Sequence, residues 1–200
     1  QDKIDSGFDI VFSSTVPIGA GLSSSAALEC GFLFGLNHFF NLDLTKEQIA
    51  KMGQKAEHTF AGVNCGIMDQ FASVFGKENH VIFLDCDTLD YQYAPADFGE
   101  YTLLLLNTNV KHNLQTSEYN IRRNECEAGI SIIQNKYPEV KNFREATLEM
   151  VENLKEAMGD VVYRRSKFVV GEISRIQELV KSLEKNDFEN VGKLMTSTHY

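Results

Sequence analysis

Two hundred residues, 43% hydrophobic and 24% charged, suffice for one sizeable globular domain or two small ones. The net charge of −9, with acids spread along the chain, speaks against a nucleic-acid partner, which calls for a basic stripe. No apolar run approaches the ~18–20 residues of a membrane span, and the opening residues lack a signal-peptide pattern, so no membrane partner and a cytoplasmic location are expected.

The basic clusters Arg122-Arg123 and Arg164-Arg165-Ser166-Lys167 fall within helical patterns and read as solvated faces. Cys30, Cys65, Cys86 and Cys126 form no CxxC pair, which argues against zinc and for reduced thiols, most of them buried.

In chain order, Phe8 to Phe12 has a strand pattern, and Pro17 to Leu22 is a glycine-punctuated loop. From Ser23 the pattern turns helical, apolar nearly all round, and predicts a buried helix ending near Asn41. Thr45, with Gln48 three residues on, has the form of a capping box opening a second helix. A brief helix is predicted from Ile67 to Phe75, then strands at Val81 to Leu84 and Tyr91 to Tyr93 and a loop from Pro95 to Gly99. Tyr101 to Leu106 is short and strongly apolar and is predicted to be a buried strand; periodicity alone leaves helix open. From about Gln115 the chain becomes mainly helical. Val169, Ile173, Ile176, Val180 and Leu183 recur at helical spacing and predict a core-packing stripe. The change in character near Phe98 divides the chain into domains 1–97 and 98–200.

The segment Pro17-Ile18-Gly19-Ala20-Gly21-Leu22-Ser23-Ser24-Ser25-Ala26-Ala27-Leu28-Glu29 carries the most chemistry. Glycines at 19 and 21 allow positive φ and a close approach of backbone to ligand. The loop opens straight into a helix whose first N–H groups have no partner within it, and those donors attract anions. Three serines add hydroxyls and a possible magnesium ligand. The plainer reading is a glycine turn with serine caps. No Gly-Lys-Ser/Thr follows, so this is not a Walker A loop, and neither a dinucleotide fingerprint nor a G-x-S-x-G elbow is present.

Further on stands Glu57-His58-Thr59-Phe60-Ala61-Gly62-Val63-Asn64-Cys65-Gly66-Ile67-Met68-Asp69-Gln70-Phe71. Asp69 falls in the first turn of the predicted short helix. There it is either a carboxylate favoured by the helix dipole or one able to take a proton from a substrate hydroxyl. Glu57 is a surface acid or, beside a phosphate loop, a hard oxygen ligand for Mg²⁺.

These segments resemble the GHMP kinases (galactokinase, homoserine, mevalonate and phosphomevalonate kinases), and the second resembles the galactokinase block E-H-x-F-x-G-V-x-C-G-I-M-D-Q. Asn64 departs from it, standing where proline is usual. A third block, Asn107 to Arg123, is similar to T-N-V-[KR]-H-x-L-x-x-S-E-Y-x-x-R-R of the same branch.

The resemblance implies an α/β (α+β) fold with a ribosomal-S5-like first part and a helix-rich second part. It implies ATP as co-substrate, its phosphates held by Gly19, Ala20, Gly21, Leu22, Ser23, Ser24 and Ser25. Mg²⁺ would lie on Ser25 and Glu57. Galactose would lie against Gly66, Asp69 and Tyr119, with Asp69 as base or electrostatic partner of the 1-hydroxyl and Lys111 near the site. His58 and His112 match family positions without an assigned role.

The family's opening G-R-T-E-H-x-D-Y block and closing M-T-G-G-G-F-G-G motif are absent from these 200 residues, and residue 1 is Gln. The sequence is therefore expected to be the central part of a longer protein and to be inactive by itself. Two alternatives stand beside a galactokinase: a non-catalytic sensor of galactose and ATP that controls transcription, and an N-acetylgalactosamine kinase.

Overall fold

The computed structural model describes Ile4, residues 6–106 and residues 118–199. They divide into two compact units, one running to Tyr93 and taking in the residues from Leu104, the other comprising Ala94–Leu103 and the chain from Glu118.

The first unit begins with helix α1, Ser24–Phe40, whose Asn41 cap takes the left-handed conformation. Asn37 then clamps the turn, its amide donating to the Leu44 carbonyl (3.0 Å) and its oxygen accepting the Leu44 N–H (2.8 Å). Helix α2, Lys46–Ala56, opens on the expected capping box. The Thr45 hydroxyl accepts the Gln48 N–H (3.2 Å) and the Gln48 side chain accepts the Thr45 N–H (2.8 Å), so two donors that a helix start leaves over are satisfied. α2 runs on into a π-helical turn, Glu57–Ala61, a local widening often found at functional sites.

Helix α3, Met68–Phe75, follows, then strands β1, His80–Leu84, and β2, Tyr91–Pro95, paired in a two-stranded sheet. The helices α1, α2 and α3 pack on one another around Ile49, Ala50, Ile67 and Phe71. Phe71 and Phe75 stack at 4.0 Å between ring centres, and Tyr91 of β2 meets both edge-on or tilted. The Tyr93 hydroxyl donates to the Phe75 carbonyl (2.7 Å), so the hairpin grips the far end of α3 and fixes where its start points.

The second unit is helical: α4, Glu118–Lys136; α5, Leu148–Asn153; α6, Lys155–Glu184, broken at Gly159; and α7, Phe188–His199. Its core joins Ile133, Val140, Ala146, Val151, Met158, Tyr163 and Val170.

Four expectations need correction. Phe8 to Phe12 is not a strand: it is irregular and lies along α1, Phe8 on Phe32 and Phe40, Phe12 on Phe32. Tyr101 to Leu106 is neither strand nor buried, and Leu104 and Leu106 are 73% and 80% exposed. A short apolar segment makes a strand only where another strand offers a ladder; among the described residues, the sheet contains β1 and β2 alone.

α1 is not buried all round either. It packs through Ala26 and Cys30, while Leu28, Phe34 and Phe39 are exposed. In α6 the predicted stripe is offset from the true one: Tyr163, Ser166 and Val170 face inward, Ile176 is exposed, and of the predicted five only Leu183 is fully buried. The packing of α6 on α4 and then α7 turns its buried face along its length. The thiols correct a further expectation, since Cys30 is buried, Cys65 and Cys126 are half-buried, and Cys86 is exposed.

Candidate active site

Gly19 and Gly21 both stand at φ +73°, a backbone conformation that side chains resist, which explains glycine at both. Ser23, the residue before α1, is also left-handed, and its hydroxyl makes no capping bond. The first rung of the helix is Ala27 N–H to the Ser23 carbonyl (3.0 Å). The amides of Ser24, Ser25 and Ala26 thus precede any helical acceptor, and no acidic residue occupies the first turn. The result is an uncapped helix start of positive potential beside half-buried serines, suited to an anion. Ala20 is half-buried and Leu22 exposed on the same loop.

The acid-bearing elements are held from behind. Within Val63 to Gly66, the Cys65 carbonyl accepts from His58 Nε2 (2.9 Å) and from Gln54 Nε2 (3.1 Å). Both donors come from the α2 segment and its π-helical continuation, and they shape the chain just ahead of Gly66 and Ile67. Asp69 then lies half-buried in the first turn of α3.

Glu57 is only 3% exposed, and its Oε2 has no hydrogen-bond partner. Its neighbour is another acid. Burial, then a hydrogen bond and charge from Glu57, push the Glu29 carboxyl up to about 7, against the opposing effect of the Gln70 amide. Burial, with the Glu29 charge second, likewise pushes the Cys30 thiol up to about 11, which makes it a packing group.

The first unit therefore contains the glycine–serine loop, Glu57, Gly66 and Asp69 together. Tyr119 belongs to the second unit, on α4, where it lines a cleft of about 460 Å³ with Arg122, Cys126, Ile130 and Phe143. Lys111 and His112 lie outside the described residues. Sequence reasoning missed three participants: Glu29, Gln70 and, as a positioner of the Cys65 carbonyl, His58. For Glu29 a signal existed, since it stands four residues after Ser25 and so shares its helix face.

An orphaned, buried carboxylate oxygen at Glu57 fits a ligand to a hard cation. Among the described residues no three His, Cys, Asp or Glu side chains gather into a metal cluster, so a bound ion would draw further ligands from hydroxyls or from a substrate. No helix among the described residues is long and apolar enough to cross a membrane.

Residues 1–77 match the family described as GHMP kinases N terminal domain. Beyond it, the chain is similar to galactokinases along nearly all of its length. It is 44% identical over 190 residues to that of Thermotoga maritima, covering 95% of this chain and 52% of the relative. With that of Clostridium beijerinckii the identity is 45% over 198 residues, covering 98% and 51%. The crystal structure of Lactococcus lactis galactokinase complexed with galactose superposes with a TM-score of 0.85 at 32% identity, over 92% of this chain and 47% of the other. The fold is that of the GHMP kinases, and the chain spans about half the length of the relatives it matches.

Proposed function

We propose that the protein carrying this chain transfers the γ-phosphoryl group of ATP to the 1-hydroxyl of galactose. The observation that carries the reading is the joint presence in one compact unit of an uncapped glycine–serine helix start and of Asp69 at a second helix start. The kinship with galactokinases supports it.

In this reading the backbone from Gly19 to Ser25 holds the ATP phosphates, Ala20 and Leu22 shaping the loop and Ser23 and Ser24 adding hydroxyls. Asp69 orients the sugar hydroxyl and accepts its proton, a role that positioned carboxylates fill at gains of about 10²–10⁴-fold. The Gly66 backbone and Tyr119 contact galactose. Ser25 and Glu57 would hold Mg²⁺, which when bound neutralises phosphate charge. Catalysis here is mostly positioning, so the rigidity behind Asp69, from Phe71 stacking to the clamp on the Cys65 carbonyl, serves the chemistry. We place the reaction in the cytoplasm, where ATP and reduced thiols coexist, and the domain boundary at residues 97/98.

The test is phosphorus NMR of the full-length protein with ATP, Mg²⁺ and galactose. The expected product is galactose 1-phosphate, and Asp69→Asn is expected to lower kcat about 10²–10⁴-fold while the protein still binds ATP. Galactose binding without turnover would replace this reading with that of a sensor. Preference for N-acetylgalactosamine in a substrate panel would move the specificity to that sugar.

A further inference from the structure

The residue after the proposed base has no role so far. Gln70 is 1% exposed, although an amide is costly to bury. Its Nε2 donates to Glu29 Oε2 (3.4 Å) and reaches Cys65 Sγ (4.0 Å), its backbone carbonyl accepts from Cys30 Sγ (3.8 Å), and its Oε1 is buried without a partner. Space for it is made by Gly53 of α2: a Cβ there would stand 3.1 Å from both Gln70 Cγ and Cys30 Sγ, tighter than ordinary packing. Gln70 thus sits where α1, α2 and α3 converge.

Its partner Glu29 is on α1, one turn beyond Ser25, and its carboxyl neighbours that of the buried Glu57 at the end of α2. Polar groups from the three elements that bear Ser25, Glu57 and Asp69 therefore meet here, Gln70 bonded to Glu29 and the Glu57 carboxyl beside them. A methionine would fill the same space with no amide to desolvate, so packing alone gives no reason for Gln70. Removing one member leaves others buried and unpaired, which makes such networks sensitive as units.

We propose that Gln70, acting through Glu29, is a positioning residue that fixes the Glu57 carboxylate and the register of the helices bearing Ser25 and Asp69. The proposal rests on the galactokinase reading above and deepens it.

The experiment compares Gln70→Met, Glu29→Ala and Glu29→Gln in the full-length protein. Gln70→Met keeps the volume and loses the amide. It is expected to raise the Mg²⁺ concentration for half-maximal rate about tenfold and to lower kcat by a similar factor, about 1.4 kcal/mol each. The KM for galactose should move less than about threefold, a split that general loosening would not produce. Glu29→Ala should reproduce this pattern, and Glu29→Gln, whose amide can donate to Glu57 and still accepts from Gln70, should recover most of the loss.

A Gln70→Met protein within about twofold of wild type in both quantities overturns the proposal. So does a Glu29→Gln protein as impaired as Glu29→Ala. Should Gln70→Met not fold, the Glu29 pair, at a half-buried position, decides alone. Mn²⁺ affinity in the presence of ADP, read by electron paramagnetic resonance, supplies a measure free of turnover. If the wild type fails to phosphorylate galactose, the functional reading falls, while the Mn²⁺ comparison between wild type and variants still judges the network.

Discussion

The two units treat their acids in opposite ways. In the second, Glu152 accepts from Lys167 Nζ (2.7 Å) and from the Tyr163 hydroxyl (2.8 Å), and Glu125 takes Arg165 at 2.8 Å. Hydrogen bonds from Lys167 and then Tyr163 hold the Glu152 carboxyl below its ordinary range. In the first unit, Glu57 is buried against a second carboxyl, Glu29, which is driven up rather than down. The acids of the second unit are arranged for the fold. Those of the first are left in a state that folding alone would avoid, the usual mark of a site awaiting a positively charged or hydrogen-bonding occupant.

The largest expected effects break this comparison at the two cores. Phe71→Ala, at a 1% exposed stacked ring, should cost about 3–5 kcal/mol of unfolding free energy; Ile133→Ala in the second unit should cost about 2–5 kcal/mol. Denaturant titration checks both. Only Phe71→Ala should also depress kcat at temperatures where the protein stays folded, because Phe71 is two residues from Asp69 on α3. Equal losses of kcat per unit of stability in the two variants would erase the distinction.

Next in size is the loop. Gly21→Ala forces a Cβ into φ +73° at a cost of about 1–2 kcal/mol, although nothing stands within 4 Å to clash with it. The strain is therefore purely local to the backbone. It should appear as about a tenfold rise in the KM for ATP with little change in melting temperature, because a surface loop relaxes locally. A fall in melting temperature without a change in KM would show that the loop serves the fold instead.

Legibility in the sequence followed the range of the forces involved. The capping box at Thr45, the positive φ at Gly19 and Gly21, and the short helix carrying Asp69 depend on neighbours a few residues away, so local pattern sufficed. Tyr101 to Leu106 and Phe8 to Phe12 failed because a short apolar pattern cannot reveal whether a ladder partner exists. The α6 stripe failed because its buried face follows the helices packed on it, α4 and then α7, which lie far from it in sequence. Of the site, the motif residues were readable one by one. The Glu29–Glu57 contact was not, since it joins positions 28 residues apart through the packing of α1 on α2.

The smallest expected effect is also the cleanest contrast, because its sign differs between the units. Glu29 has a folded value of about 7 against its ordinary 4.5, so the folded protein binds the proton more tightly than the unfolded chain. Stability linked to it is fully present below pH 4.5 and is lost as pH rises through about 7. Glu152, held below its ordinary 4.5, contributes stability above that value and loses it as pH falls through its lowered folded value. Thermal melts from pH 4 to 8 should show Glu29→Gln flattening the decline on the neutral side. Glu152→Gln should flatten only the acid side, and weakly, because its ion pair is solvent-exposed and screened. If both substitutions altered the same limb of the profile, the Glu29–Glu57 pair would be an ordinary surface contact, and the first unit would treat its acids no differently from the second.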